Sequence, residues 1–214
     1  MLELIKLTRH ELKLQNKVHN LAKYIFIFLF FCSITGALIN SEENITKFAT
    51  IFSVIALPLA FMGITSNVLK SDIEDGNLEL LLQITTPSKI IITKYLALAL
   101  SGLFGFLLNI PLIYFIYNIE VKILTLIFIC GILLILTSSA LISLIAAIQG
   151  YFRSNTNFLA ILIMPLIIPN IVLTGIILQN NAMESLLLVM LGINMVIVPV
   201  TIFLSSYLIK NIYS

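Results

Sequence analysis

The sequence predicts an all-α, polytopic membrane protein: a bundle of six transmembrane helices, preceded by an N-terminal amphipathic elbow helix, with both termini in the cytoplasm. Three observations carry that expectation. Hydrophobic residues make up 60% of the 214-residue chain and charged residues only 10%, and the mean hydropathy of +1.12 lies far outside the soluble globular range. Six continuous apolar runs follow one another, and a helical crossing of a hydrocarbon core about 30 Å thick needs about 20 such residues. Lys and Arg are also divided unequally between alternate connections. Because the runs are continuously apolar, they do not read as β-barrel strands, which alternate over about ten residues.

The first element, over 1–23, reads as an amphipathic helix. Leu4, Leu7, Leu14, Val18 and Leu21 recur at helical spacing, Glu11 interrupts the same face, and the lysines fill the remaining arc. Such a helix lies in the headgroup layer before turning into the first span, either as a membrane-surface anchor or as an elbow that also touches a cytoplasmic subunit. His10 and His19, nine residues apart, point to opposite sides of one helix and do not jointly hold a metal or haem. A cleaved leader is not expected, because the first apolar run follows this long patterned segment and lacks a small-x-small exit.

The six spans are placed at Tyr24–Ile39, Phe48–Leu69, Tyr95–Tyr117, Ile123–Ile148, Phe158–Leu178 and Leu186–Ile209, and none of the 12 basic and 10 acidic residues falls inside them. The first has 16 residues and would use Lys23 as a snorkelling anchor. Lys6, Arg9, Lys13, Lys17, Lys23, Lys70, Lys89, Lys94, Arg153 and Lys210 fall on one side, against Lys47 and Lys122 on the other. The positive-inside rule therefore puts both termini in the cytoplasm. The outer loops, Asn40–Lys47, Asn118–Lys122 and Gln179–Ser185, are too short to hold a folded domain. No linker or internal repeat divides the chain, so 1–214 is one transmembrane domain.

Within the spans, Pro111, Pro165, Pro169 and Pro199 favour kinks. Pro165 and Pro169, four apart on one face, mark either a hinge in the fifth span or passive kinks. Asn109, Asn170 and Asn194 are read as interhelical hydrogen-bonding residues, with a substrate path as the alternative. Cys32 and Cys130 are read as packing residues, not as a disulfide or a haem-ligating pair.

The connection over 70–90 is the most informative stretch. Lys70-Ser-Asp-Ile-Glu-Asp-Gly-Asn-Leu-Glu-Leu-Leu-Leu82 places four acids between two apolar runs. If Asp72–Leu82 is helical, Asp72, Asp75 and Glu79 share one face and Leu78, Leu81 and Leu82 an adjacent one. Gly76 would tolerate a bend, and Pro87 suits the first turn of the next helix with Thr86 as its cap. A solvated loop would explain the acids but leave three leucines exposed. A docking element for a cytoplasmic partner explains both, and its residues would be Asp72, Glu74, Asp75, Gly76, Leu78, Glu79, Leu81 and Leu82. The loop over 150–157 is a second contact candidate, with Arg153 as either topology anchor or partner ligand.

These residues carry a resemblance. Asp75-Gly76-Asn77-Leu78-Glu79, followed by Leu81-Leu82, Pro87 and Lys94, is similar to the Asp-Gly-x-Leu-Glu pattern of the haem exporter protein B (CcmB) family. Met164-Pro165-Leu166-Ile167-Ile168-Pro169 is similar to that family's Leu-Pro-Leu-x-Ile-Pro. Leu80 stands where the family usually has Gln, and Leu98 where a His is common, which removes the one intramembrane haem-ligand candidate. The resemblance implies an ABC-2 type permease subunit in the membrane transporter of cytochrome c maturation. Its implied partners are a separate ATP-binding subunit, a haem-handling membrane protein and a small single-span subunit. Haem is the implied cargo, either delivered or released on a loaded chaperone, and the bacterial inner membrane is the implied location, with the mitochondrial inner membrane as alternative.

The residues fit that division of labour. No Gly-x4-Gly-Lys-Ser/Thr phosphate loop occurs, so ATP is expected to reach the system through the partner and the chain itself is not expected to be an enzyme. No Trp occurs, so a tryptophan-rich haem site is expected elsewhere. Neither a bound cofactor or metal nor a nucleic-acid partner is expected, whereas membrane lipid is. Two other permease-like readings stand beside the leading one: an exporter of another substrate, and a non-transporting scaffold that passes ATPase strokes to a cargo protein. An ion-coupled carrier is disfavoured, because such carriers use ionisable groups within spans.

Overall fold

The structure, a computed structural model, describes residues 2–18, 20–38, 54–61, 68–152, 164–180 and 184–212, and every extended element among them is helical. Helix α1 runs Leu2–Val18 and α2 Leu21–Leu38. Between them Asn20 takes a left-handed conformation, with φ of 49°, which a short amide side chain tolerates better than most. Its carbonyl accepts the Tyr24 amide at 2.9 Å, so the chain turns and restarts at once. The two axes diverge by 56°. The elbow thus ends at Val18, and Lys23 already belongs to the first turn of α2. Ile25, Leu29 and Ser33, four residues apart, form the buried face of α2, which packs on the helix of the third predicted span.

A helical segment over 54–61, α3, contributes Phe61 to the core. Helices α4 (Lys70–Glu74) and α5 (Asn77–Ile84) form the connection that follows. Then come α6 (Pro87–Tyr117) and α7 (Val121–Phe152), with a 3-10 turn at Met164–Leu166, α8 (Ile168–Asn180) and α9 (Glu184–Lys210). At 1.5 Å per residue α6 and α7 are each about 45–50 Å long, well beyond the hydrocarbon core. The helix of the third predicted span starts at Pro87, the first-turn position expected for it, so two turns precede Tyr95 and Lys94 lies inside the helix.

Helix α7 is the centre of the bundle, with nearly every residue from Leu133 to Ala147 buried. Close approach there depends on missing side chains. The Phe61 ring lies over Gly102 and the Phe106 ring over Gly131, occupying the space a Cβ would need. Helix α9 packs along α7 and leaves Leu188, Met195, Val196, Phe203 and Tyr207 exposed on its other side, the pattern of a lipid-facing stripe.

Helices α6, α7 and α9 are each long and apolar enough to cross a membrane, and the bent α1–α2 pair adds a fourth when taken together. Most of the predicted second span and the first part of the fifth lie outside the described residues, as do His19, Lys47 and Arg153. In the fifth, Pro165 lies in the 3-10 turn and Pro169 at the second position of α8. The two prolines do not share one face of a continuous helix, because the chain breaks between them. Pro169 falls in a first turn, where its missing N–H costs nothing. Pro111 and Pro199 lie inside unbroken helices.

Candidate functional site

The described connection over 68–86 is not one helix. After Lys70–Glu74, the amides of Asp75 and Gly76 close back on Ser71 O at 2.9 Å and Ile73 O at 3.3 Å. Gly76 then takes φ of 72°, a conformation that glycine adopts without a Cβ penalty. The bend that glycine permits is there, and it separates the acids. Asp75 and Glu79 are exposed, Glu79 in the first turn of α5, where the helix dipole favours a negative charge. Asp72, expected beside them, turns inward instead. Glu74 is exposed and lies 3.8 Å from Lys70, a surface pair of little energetic weight.

The leucines divide as well. Leu78 is fully buried, and Leu81 and Leu82 are half-buried against the core, so the three do not form the outward greasy face that a continuous helix would give them. They seat α5 on the bundle. The outward apolar residues are Leu80 and Ile84, at 57% and 74% exposure. The sequence reading missed this pair, although its four-residue spacing beside Glu79 was a usable signal. Thr86 occupies the cap position of α6, but through its carbonyl, which accepts the Lys89 amide at 3.0 Å, and not through its side chain.

Beneath this surface lies a charge cluster. Lys94 is the one charged side chain buried among the described residues, at 2% exposure. Its ammonium donates to Glu11 Oε1 of α1 at 2.9 Å, to the Val68 carbonyl at 3.1 Å and to Asp72 Oδ2 of α4. An ammonium has three protons, and each has an acceptor. Gln15 adds a bond from Nε2 to Glu11 Oε1 at 3.2 Å. This requirement rotates α1: Thr8 and Gln15 are buried and Glu11 half-buried, while Leu14 of the predicted apolar stripe is exposed. Glu11 breaking that stripe and Lys94 adjoining the third span were the sequence signals for the cluster. A cavity of about 290 Å³ opens beside it, lined by His10 and by Leu7, Leu14, Leu80, Ile84 and Ile90.

Ile73 of α4 reaches the C-terminal end of α7 at Gly150, where a Cβ would collide with its terminal methyl. The segment therefore touches α7 by packing and α6 by charge.

A second polar cluster lies within the bundle. Asn170 of α8 donates to Thr137 Oγ1 of α7 at 2.6 Å, and Thr137 lies 2.7 Å from Asn194 Oδ1 of α9. Asn109 of α6 donates to Ser33 of α2 at 3.3 Å, and the Tyr117 hydroxyl bonds the Ser33 carbonyl. All three asparagines thus hydrogen-bond between helices. Leu98 is fully buried in α6, Cys130 is buried and Cys32 half-buried, and neither cysteine is in a disulfide. Among the described residues no three His, Cys, Asp or Glu side chains are grouped to hold a metal.

Residues 2–211 match the family model described as CcmB protein. An uncharacterised protein of Rickettsia conorii is 44% identical over 214 residues, covering all of this chain and 99% of the relative. An uncharacterised protein of Rickettsia prowazekii matches at the same identity and coverage.

Proposed function

Because the chain belongs to the CcmB protein family, membrane components of an ABC transporter in cytochrome c biogenesis, we propose that it is the permease subunit through which a separate ATP-binding subunit drives haem delivery or release of a haem-loaded chaperone. In this reading the chain is a six-span protein of the bacterial inner membrane with both termini in the cytoplasm. It works beside a haem-handling membrane protein and a small single-span subunit, and it leaves ATP hydrolysis to the partner. Haem is cargo, not a resident group.

One observation carries the reading: α5 exposes Leu80 and Ile84 next to Glu79, with Asp75 at the bend, on a segment seated by Leu78 against the bundle. Apolar residues beside acids on an aqueous surface match the greasy centre and charged rim of a partner interface. The acids steer a basic partner surface and fix register. Motion of that partner would reach α6 and α7 through Lys94 and Ile73.

The test is co-purification with the ATP-binding subunit. Asp75→Lys with Glu79→Lys should abolish association, and so should Leu80→Lys with Ile84→Lys. Undiminished association of both variants would remove the docking reading. Reconstituted complex assayed for labelled haem transport and for chaperone release then separates the two forms of delivery.

A further inference from the structure

The Lys94 cluster joins three segments that are distant in sequence: α1 through Glu11, the Val68 turn that leads into α4, and α4 itself through Asp72. Helix α4 has only five residues, far too few to be stable alone, so its position is set by what holds it. Glu11 and Asp72 are each 14% exposed at the side chain, so parting any pair would leave a poorly hydrated charge without a counter-charge. Sliding α4 away from α1 is therefore costly, whereas moving the two together is not.

We infer that Lys94 is a positioning residue that clamps the elbow helix to the docking segment, so that α1, α4 and the inner end of α6 move as one body when the partner moves. The inference rests on the docking reading for its function but not for its geometry. Asp72 is spent inside this clamp and is not offered to the partner, which leaves Asp75 and Glu79 for contact. The elbow, by the same bond, is part of the moving assembly, not a passive anchor.

The clamp has separable arms. Glu11→Leu removes the α1 arm and leaves Lys94 in a neutral pair with Asp72, so folding is preserved. Asp72→Ala removes the α4 arm and leaves Lys94 paired with Glu11. With Cys32 and Cys130 replaced by Ala, spin labels at the exposed positions Lys13→Cys, Glu74→Cys and Ser88→Cys report pairwise distances on α1, α4 and α6. In the purified chain alone, all three distributions should be narrow. Glu11→Leu should broaden 13–74 and 13–88 but not 74–88. Asp72→Ala should broaden 13–74 and 74–88 but not 13–88. With the ATP-binding subunit and ATP, the unmodified clamp should hold the 13–74 distance constant through turnover. A 13–74 distance that changes with nucleotide, or distributions that stay narrow in both variants, would overturn the clamp. Partner association that survives reversal of Asp75 and Glu79 and of Leu80 and Ile84 would overturn the docking reading instead, and the distances in the chain alone would still judge the clamp.

Discussion

Removing the Lys94 ammonium strands two carboxylates that are largely cut off from water, whereas removing one carboxylate leaves a neutral pair. Lys94→Met should therefore cost about 3–5 kcal/mol, the range for breaking a buried ion cluster from one side. Glu11→Leu should cost much less, and thermal unfolding of the purified variants in detergent checks the order. Gly76 offers an independent test of the bend. A β-branched residue there must adopt a left-handed backbone, at about 1–2 kcal/mol, without a clash among the described residues, none of which beyond its chain neighbours comes within 4 Å of a Cβ at that position. Gly76→Val should thus weaken partner co-purification by tilting α5 while lowering the bundle's melting temperature by only a few degrees.

At the scale of elements, the Thr137–Asn170–Asn194 bonds tie α8 to the α7–α9 pair. Asn170→Leu should lower bundle stability by about 0.6–2 kcal/mol, the span measured for hydrogen bonds between transmembrane helices. It should leave ATPase association intact, as denaturation in detergent and co-purification would show. Long apolar elements were legible in the sequence because lipid demands continuous hydrophobic helix, and α6, α7 and α9 lie where those runs are. The acidic connection was legible in composition but not in geometry. A helical wheel drawn through Asp72–Leu82 assumes one axis, and Gly76 supplies two, which turns Asp72 and Leu78 inward and leaves Leu80 and Ile84 outward. Lys94 was read as a flanking charge because its partners are remote: one lies 83 residues before it. No local period encodes such a meeting.

Across the whole molecule, basic residues gather at the end where α1, α4 and α5 meet, and the reading that this end faces the cytoplasm is open to direct assay. Lys70→Cys should react with an impermeant thiol reagent only after the inner membrane is opened, and Lys122→Cys before it. Reversed accessibility would place the docking segment on the wrong side for any ATP-driven partner. The Glu11–Lys94 bond also dictates a sequence of events during synthesis. Glu11 leaves the ribosome long before Lys94 does, and the elbow lacks this buried partner until the N-terminal end of α6 has been made. Nascent chains arrested before residue 94 should accordingly leave the N-terminal segment open to added protease, and those arrested well after it should protect it.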